Sequence, residues 1–168
     1  KTVVSETNKE AGFKDIAGMD DLKAQLKEEV IDYLENPQLY EEYGIPMLNG
    51  ILFFGPPGCG KTYFAEKFAN EVGYSFFKLS PSEIQSRWVN ASQENVKKLF
   101  DDAAKQAPSV IFFDEIDALI PSREGDLHHM QSNVVNEFLV QLNNCGQRKI
   151  FVIGASNRPE KIDPAVLR

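Results

Sequence analysis

The chain is 168 residues long, enough for one domain with a full hydrophobic core. Its 42% hydrophobic and 26% charged content is ordinary for a globular protein, and a net charge of −7 argues against nucleic acid as the partner. The two cysteines, Cys59 and Cys145, have neither metal-ligand nor disulfide-framework spacing, which points to a reducing, cytoplasmic setting; no apolar run approaches the ~20 residues of a membrane span.

The elements follow in chain order. Residues 1–10 are polar, and residues 1–12 are expected to be a linker ahead of a domain over 13–168. The chain begins at Lys1, not at methionine, and reads as an excerpt. Leu22, Leu26, Val30 and Leu34 recur every four residues, predicting a helix over about 20–34. Pro37 after Asn36 opens a second short helix, and Gly44 stops it. Residues 51–54 read as a buried strand, and 61–72 as a helix closed by Gly73. A strand is expected over 75–79, then a helix whose core face is Val96, Leu99, Phe100 and Ala103. Residues 110–113 form the next strand. Val134, Val135, Phe138, Leu139 and Leu142 mark the next helix, and 150–153 the last strand. Strands alternating with helices predict an α/β three-layer sandwich around a parallel sheet. Ligands of such sheets bind at the carboxyl ends of the strands.

Two motifs fall at those ends. Residues 55–62 fit G-x-x-x-x-G-K-[ST] between a strand and a helix. In such a loop, glycines let backbone N–H groups converge on a phosphate, and the helix N-terminus adds positive potential. Lys61 is expected to reach the β- and γ-phosphates of ATP and Thr62 to hold Mg²⁺. Cys59 is read as a small loop filler. About 50 residues on, the strand 110–113 ends in Asp114 and Glu115. Asp114 suits a Mg²⁺-bound water, and Glu115 suits polarisation of an attacking water. Asp117 is expected to be structural. His128 and His129 are adjacent, without the i, i+4 spacing of a helical metal pair, and read as solvated loop.

The loop 55–62, the run Phe112-Phe113-Asp114-Glu115-Ile116-Asp117 and the segment 154–168 together closely resemble the AAA family of ATPases. That family includes valosin-containing protein, the proteasomal regulatory ATPases, katanin and spastin. The resemblance covers about Phe13 to Arg168. It implies a P-loop NTPase fold of AAA type and counts Pro57, Gly58, Cys59, Gly60, Lys61, Thr62 and Tyr63 as nucleotide-binding. Asn157 matches sensor 1, an amide that orients the attacking water without titrating. Asp15, Ile16 and Gly18 match a segment that cradles adenine largely through main-chain groups; from the residues alone they read as a helix-start turn. Arg168 matches an arginine finger acting on the neighbouring subunit's ATP. Arg87, Trp88 and Val89 resemble the first pore loop, although Asn90-Ala91 departs from the Gly-Glu that follows in many relatives. Residues 121–130 resemble the second pore loop by position. The family pattern continues with a fifth strand and a helical lid, which the chain does not reach; the resemblance implies that the fifth strand pairs with the strand 51–54, which without it lies at the sheet edge.

The resemblance implies an ATP-hydrolysing motor that works as a ring, a hexamer, and pulls polypeptide through a central pore. On that reading the isolated segment turns over very slowly. Two alternatives are an ATP-dependent assembly switch without turnover and a nucleic-acid motor or loader. Asp114, Glu115 and Asn157 argue against the first, and the acidic balance and Trp88-Val89 against the second.

Overall fold

The computed structural model describes residues 3–5, 12–45, 48–80, 93–118 and 129–163, with backbone only for 3–5, 37 and 129–132. Strands β2 (Gly50–Phe54), β3 (Ser75–Leu79), β4 (Ser109–Phe113) and β5 (Ile150–Ser156) form a parallel sheet in the order β3-β4-β5-β2. Helices pack on both faces, as the alternation of strands and helices predicts. β4 shows why. All five of its residues are buried, with Val110 and Phe112 on one face of the pleat and Ile111 and Phe113 on the other.

The Ile111 and Phe113 face packs against α5 (Gln93–Lys105) and α6 (His129–Asn143). Val96, Leu99, Phe100 and Ala103 form the buried stripe of α5, as their spacing predicts. Phe138 of α6 meets Phe100 and Phe113 edge-on, with ring centroids 5.9 and 5.4 Å away. On the other face lie α4 (Lys61–Val72) and the N-terminal helices α1 (Asp20–Leu26) and α2 (Asp32–Glu35), and α3 (Pro37–Glu42) follows, with Tyr40 edge-on to Tyr33 of α2. Pro37 occupies the first turn of α3, and Gly44 lies just past it at φ 68°. Gly73 closes α4 at φ 70°.

Three expectations are corrected. The helix over 20–34 is interrupted by a π-helical turn, Lys27–Ile31, between α1 and α2. Its apolar repeat of four is longer than the 3.6 of an α-helix, and a wider turn keeps Leu26 and Val30 on the core. Leu22, one step earlier, is exposed. Second, β2 is not a buried strand. Among the described residues it pairs with β5 alone, its first four residues are half-buried, and Phe54 is 72% exposed. Third, within the stretch read as a linker, β1 (Val3–Ser5) pairs antiparallel with β3. Two consecutive β-branched residues favour extended backbone, and the outer edge of β3 offers unpaired N–H and C=O groups. No helix among the described residues is long and apolar enough to cross a membrane.

Candidate nucleotide site

From β2 the chain crosses past β5 and β4 to reach β3, then returns strand by strand. The carboxyl ends of β2, β4 and β5 therefore meet at one edge, and a cleft of about 390 Å³ opens there. Its walls are residues 57–63 after β2, Asp114 and Glu115 after β4, and residues 155–157 at the end of β5.

The loop after β2 is held at its base by a bond from Gly55 N–H to the Ser156 carbonyl, 3.3 Å, which extends the β2–β5 ladder. Gly58 and Gly60 lie at φ 78° and 87°, where an L side chain is strained. An added Cβ would meet nothing within 4 Å at either, so backbone conformation, not room, calls for glycine there. Among the described residues, the N–H groups of Gly58, Cys59 and Gly60 make no backbone hydrogen bond. Consecutive free donors ahead of a helix N-terminus form an anion-binding concavity. The Lys61 ammonium lies over the loop, donating to the carbonyls of Gly55 at 2.8 Å and Pro56 at 3.0 Å.

Thr62 and Asp114 come together from positions 52 residues apart. The Thr62 hydroxyl donates to Asp114 Oδ2 at 3.3 Å. A hydroxyl and a carboxylate are hard oxygen donors that fit Mg²⁺. Among the described residues no three His, Cys, Asp or Glu side chains converge as a cage. Magnesium held here would take most of its ligands from phosphate and water, its usual habit. Asp114 is half-buried and its N–H donates to the Leu79 carbonyl at 3.1 Å, which anchors the strand end to β3. Glu115 is exposed to the cleft and has φ 54°, a left-handed conformation rare outside glycine, and its carbonyl accepts from Ala118 N–H at 2.9 Å.

Asn157 forms the exposed third wall. The residue before it is tied to the β4 side: the Ser156 hydroxyl donates to Asp117 Oδ1 at 2.6 Å and accepts from Arg158 N–H at 2.9 Å. Asp117 thus clamps the turn that carries Asn157. This is a structural role, as expected for Asp117, with a partner 39 residues away that no local pattern marks.

Residues 12–16 lie against α4, and Phe13–Asp15 form a 3-10 turn. The Tyr63 hydroxyl donates to the Asp15 carbonyl at 3.3 Å, and Lys67 pairs with the Asp15 carboxylate at 2.8 Å. The hydrogen bond to Asp15 holds the Lys67 ammonium above the usual lysine range, against a smaller opposing pull from desolvation. Glu71 accepts the Phe13 N–H at 2.8 Å. Sequence reasoning missed Lys67 and Glu71. The available signal was the spacing of Tyr63, Lys67 and Glu71 at i, i+4 and i+8, one stripe along the helix. Arg87, Trp88, Val89, Arg168 and residues 121–128 lie outside the described residues.

The family model described as "ATPase family associated with various cellular activities (AAA)" matches residues 51–168. Over 156 residues, 93% of its length, the chain is 40% identical to the "Cell division control protein 48 homolog C" of Arabidopsis thaliana. It spans 19% of that curated relative. The match runs from the strand that feeds the phosphate loop through the carboxylates and on past Asn157, all of which meet at one edge of the sheet, and the chain belongs to the AAA family of ATPases.

Proposed function

We propose that this chain is an ATP-binding and ATP-hydrolysing module of a ring-forming motor that remodels polypeptides. One observation carries the nucleotide half of that reading. The phosphate loop, the Asp114–Glu115 pair and Asn157, which follow three different strands far apart in the chain, line a single cleft. In this reading the loop N–H groups and Lys61 grip the phosphates; Thr62 would hold magnesium and Asp114 a water bound to it, and the ion's charge would offset that of the phosphates. Glu115 accepts a proton from water as its oxygen bonds to the γ-phosphorus. The bond from that phosphorus to the β–γ bridging oxygen breaks, and ADP leaves with the electron pair. Asn157 orients the water by hydrogen bonding.

The ring half rests on the resemblance of Trp88-Val89 to a pore loop and of Arg168 to a finger acting in trans. A finger that acts only on a neighbour leaves residues 1–168 alone with very slow turnover. The free cysteines, one exposed and one buried, agree with a reducing cytoplasmic setting. Trp88→Ala tests the polypeptide part: basal ATPase stays and substrate-stimulated work is lost. The site is tested by a pair of variants. Glu115→Gln keeps volume and is expected to bind ATP normally while hydrolysing it at least ~100-fold slower. Lys61→Ala is expected to lose ATP binding. Near-normal turnover of Glu115→Gln would remove Glu115 from the reaction.

A further inference from the structure

The 3-10 turn Phe13–Asp15 is too short to hold its own position. Its internal support is two backbone bonds, Asp15 N–H to the Gly12 carbonyl and Ile16 N–H to the Phe13 carbonyl. What fixes it is α4, the helix that starts at the phosphate loop. Phe13 packs on Phe64 and Phe68, with ring centroids 5.4 and 6.3 Å apart. The neighbouring polar stripe supplies direction. Glu71 takes the Phe13 N–H, Lys67 takes the Asp15 carboxylate, and Tyr63 takes the Asp15 carbonyl. The Lys67 ammonium also lies 5.4 Å from the centre of the Tyr63 ring. From the far side, Lys23 donates to the Ile16 carbonyl at 2.5 Å.

Two details separate this arrangement from an ordinary surface ion pair, which contributes little. The Lys67 side chain is only 13% exposed, so it is held along its length. The Glu71 carboxylate also lies so close over Gly12 that an added Cβ would sit 2.2 Å from Oε2. The segment and the helix are fitted to each other at backbone distance.

We propose that Lys67 and Glu71 are positioning residues for the nucleotide base: from the helix that opens at the phosphate loop, they set where the main chain of residues 15–18 stands, and so tune base affinity and selectivity without touching the nucleotide. This rests on the reading that residues 15–18 cradle adenine. Physically, one rigid helix would carry the phosphate end of the site and also index its base end, so the distance between them is set by the rise along α4.

The experiment measures binding of ADP, GDP and inorganic tripolyphosphate, each with magnesium, to the protein and four variants. Lys67→Met keeps the aliphatic stem without the charge, Glu71→Ala removes the acceptor, and Glu71→Gln restores an acceptor for Phe13 N–H. Gly18→Val, at φ 69°, displaces the base segment itself. Lys67→Met and Glu71→Ala are expected to weaken ADP about 5- to 10-fold, less than the full loss of a charge-assisted hydrogen bond because neither side chain touches the nucleotide. They should narrow the preference for ADP over GDP and leave tripolyphosphate within about 2-fold. Glu71→Gln should recover most of the ADP affinity. An equal loss for ADP and tripolyphosphate would mean that α4 has merely loosened, and would overturn the proposal. If Gly18→Val weakens ADP while Lys67→Met and Glu71→Ala do not, the adenine reading stands and the positioning role falls. If Gly18→Val has no effect on ADP either, both fall.

Discussion

β4 and β2 are parallel strands of equal length, each ending in a motif, yet they are supported in opposite ways. β4 lies between β3 and β5, has helices on both faces and buries every residue. β2 has one strand neighbour among the described residues and ends in a Phe54 that is 72% exposed. The Asp114 and Glu115 carboxylates therefore follow a strand with neighbours on both sides, and among the described residues the phosphate loop follows a strand paired on one side. Neighbours on both sides give the carboxylates after β4 the fixed geometry that acid–base and metal chemistry needs, whereas the loop after β2 is tied at its base by the single bond from Gly55 N–H to the Ser156 carbonyl.

The comparison breaks first at the centre. Phe113→Ala removes a fully buried ring that packs on Phe138 and is expected to cost about 3–5 kcal/mol in denaturant unfolding. A cost below 1 kcal/mol would mean that β4 is not the rigid platform described. The link between the two strands is tested next. At Gly154 of β5, an added Cβ would meet Ile116 Cδ1 at 3.0 Å and Leu52 Cδ1 at 3.1 Å. One contact belongs to the turn after β4 and the other to β2. Gly154→Ala should destabilise by about 1–3 kcal/mol as overpacking, with Leu52, on the less enclosed strand, giving way before buried Ile116. Chemical-shift changes concentrated at Ile116 instead would reverse that order.

The two thiols sharpen the contrast by reactivity. Cys59, in the exposed loop after β2, should alkylate in the folded protein and be shielded by ATP. Cys145 is buried ahead of β5, its Sγ 3.3 Å from the Gln141 carbonyl, and desolvation pushes its thiol up to about 12, against a smaller opposing pull from Arg148. It should alkylate only on unfolding. Because the folded value lies above the ordinary thiol value of 9.0, its contribution to stability is intact below about pH 9 and is lost as pH rises toward 12. Loss of that alkaline slope in Cys145→Ala would confirm the source, and an unchanged slope would assign it elsewhere. The smallest effect belongs to the edge: Phe54→Ala should change stability by no more than about 0.5 kcal/mol.

Much of the fold was legible because periodicity and burial agree wherever an element has neighbours on both sides. The stripe of α5, the cap at Gly73 and the strand 75–79 appear as the residues predict. Misreadings gather at edges. β2 looks buried by composition, since four apolar residues in a row do not say how many neighbours they have. β1 has too few residues for a period, and its pairing depends on the exposed side of β3, which no local pattern records.

By itself the sequence determined the local chemistry. The glycines that permit positive φ, the lysine and threonine that open α4, and the carboxylates after an apolar strand are properties of adjacent residues, and adjacency survives any fold. Tertiary structure alone decided which distant residues meet. Thr62 reaches Asp114, Ser156 reaches Asp117, and α4 turns Lys67 and Glu71 onto residues 12–16. These contacts follow from strand order and from the rotation of a helix on its sheet. Both are set by how the whole core packs, because a single side chain's hydrogen bond contributes far less than the burial that orients the elements carrying it.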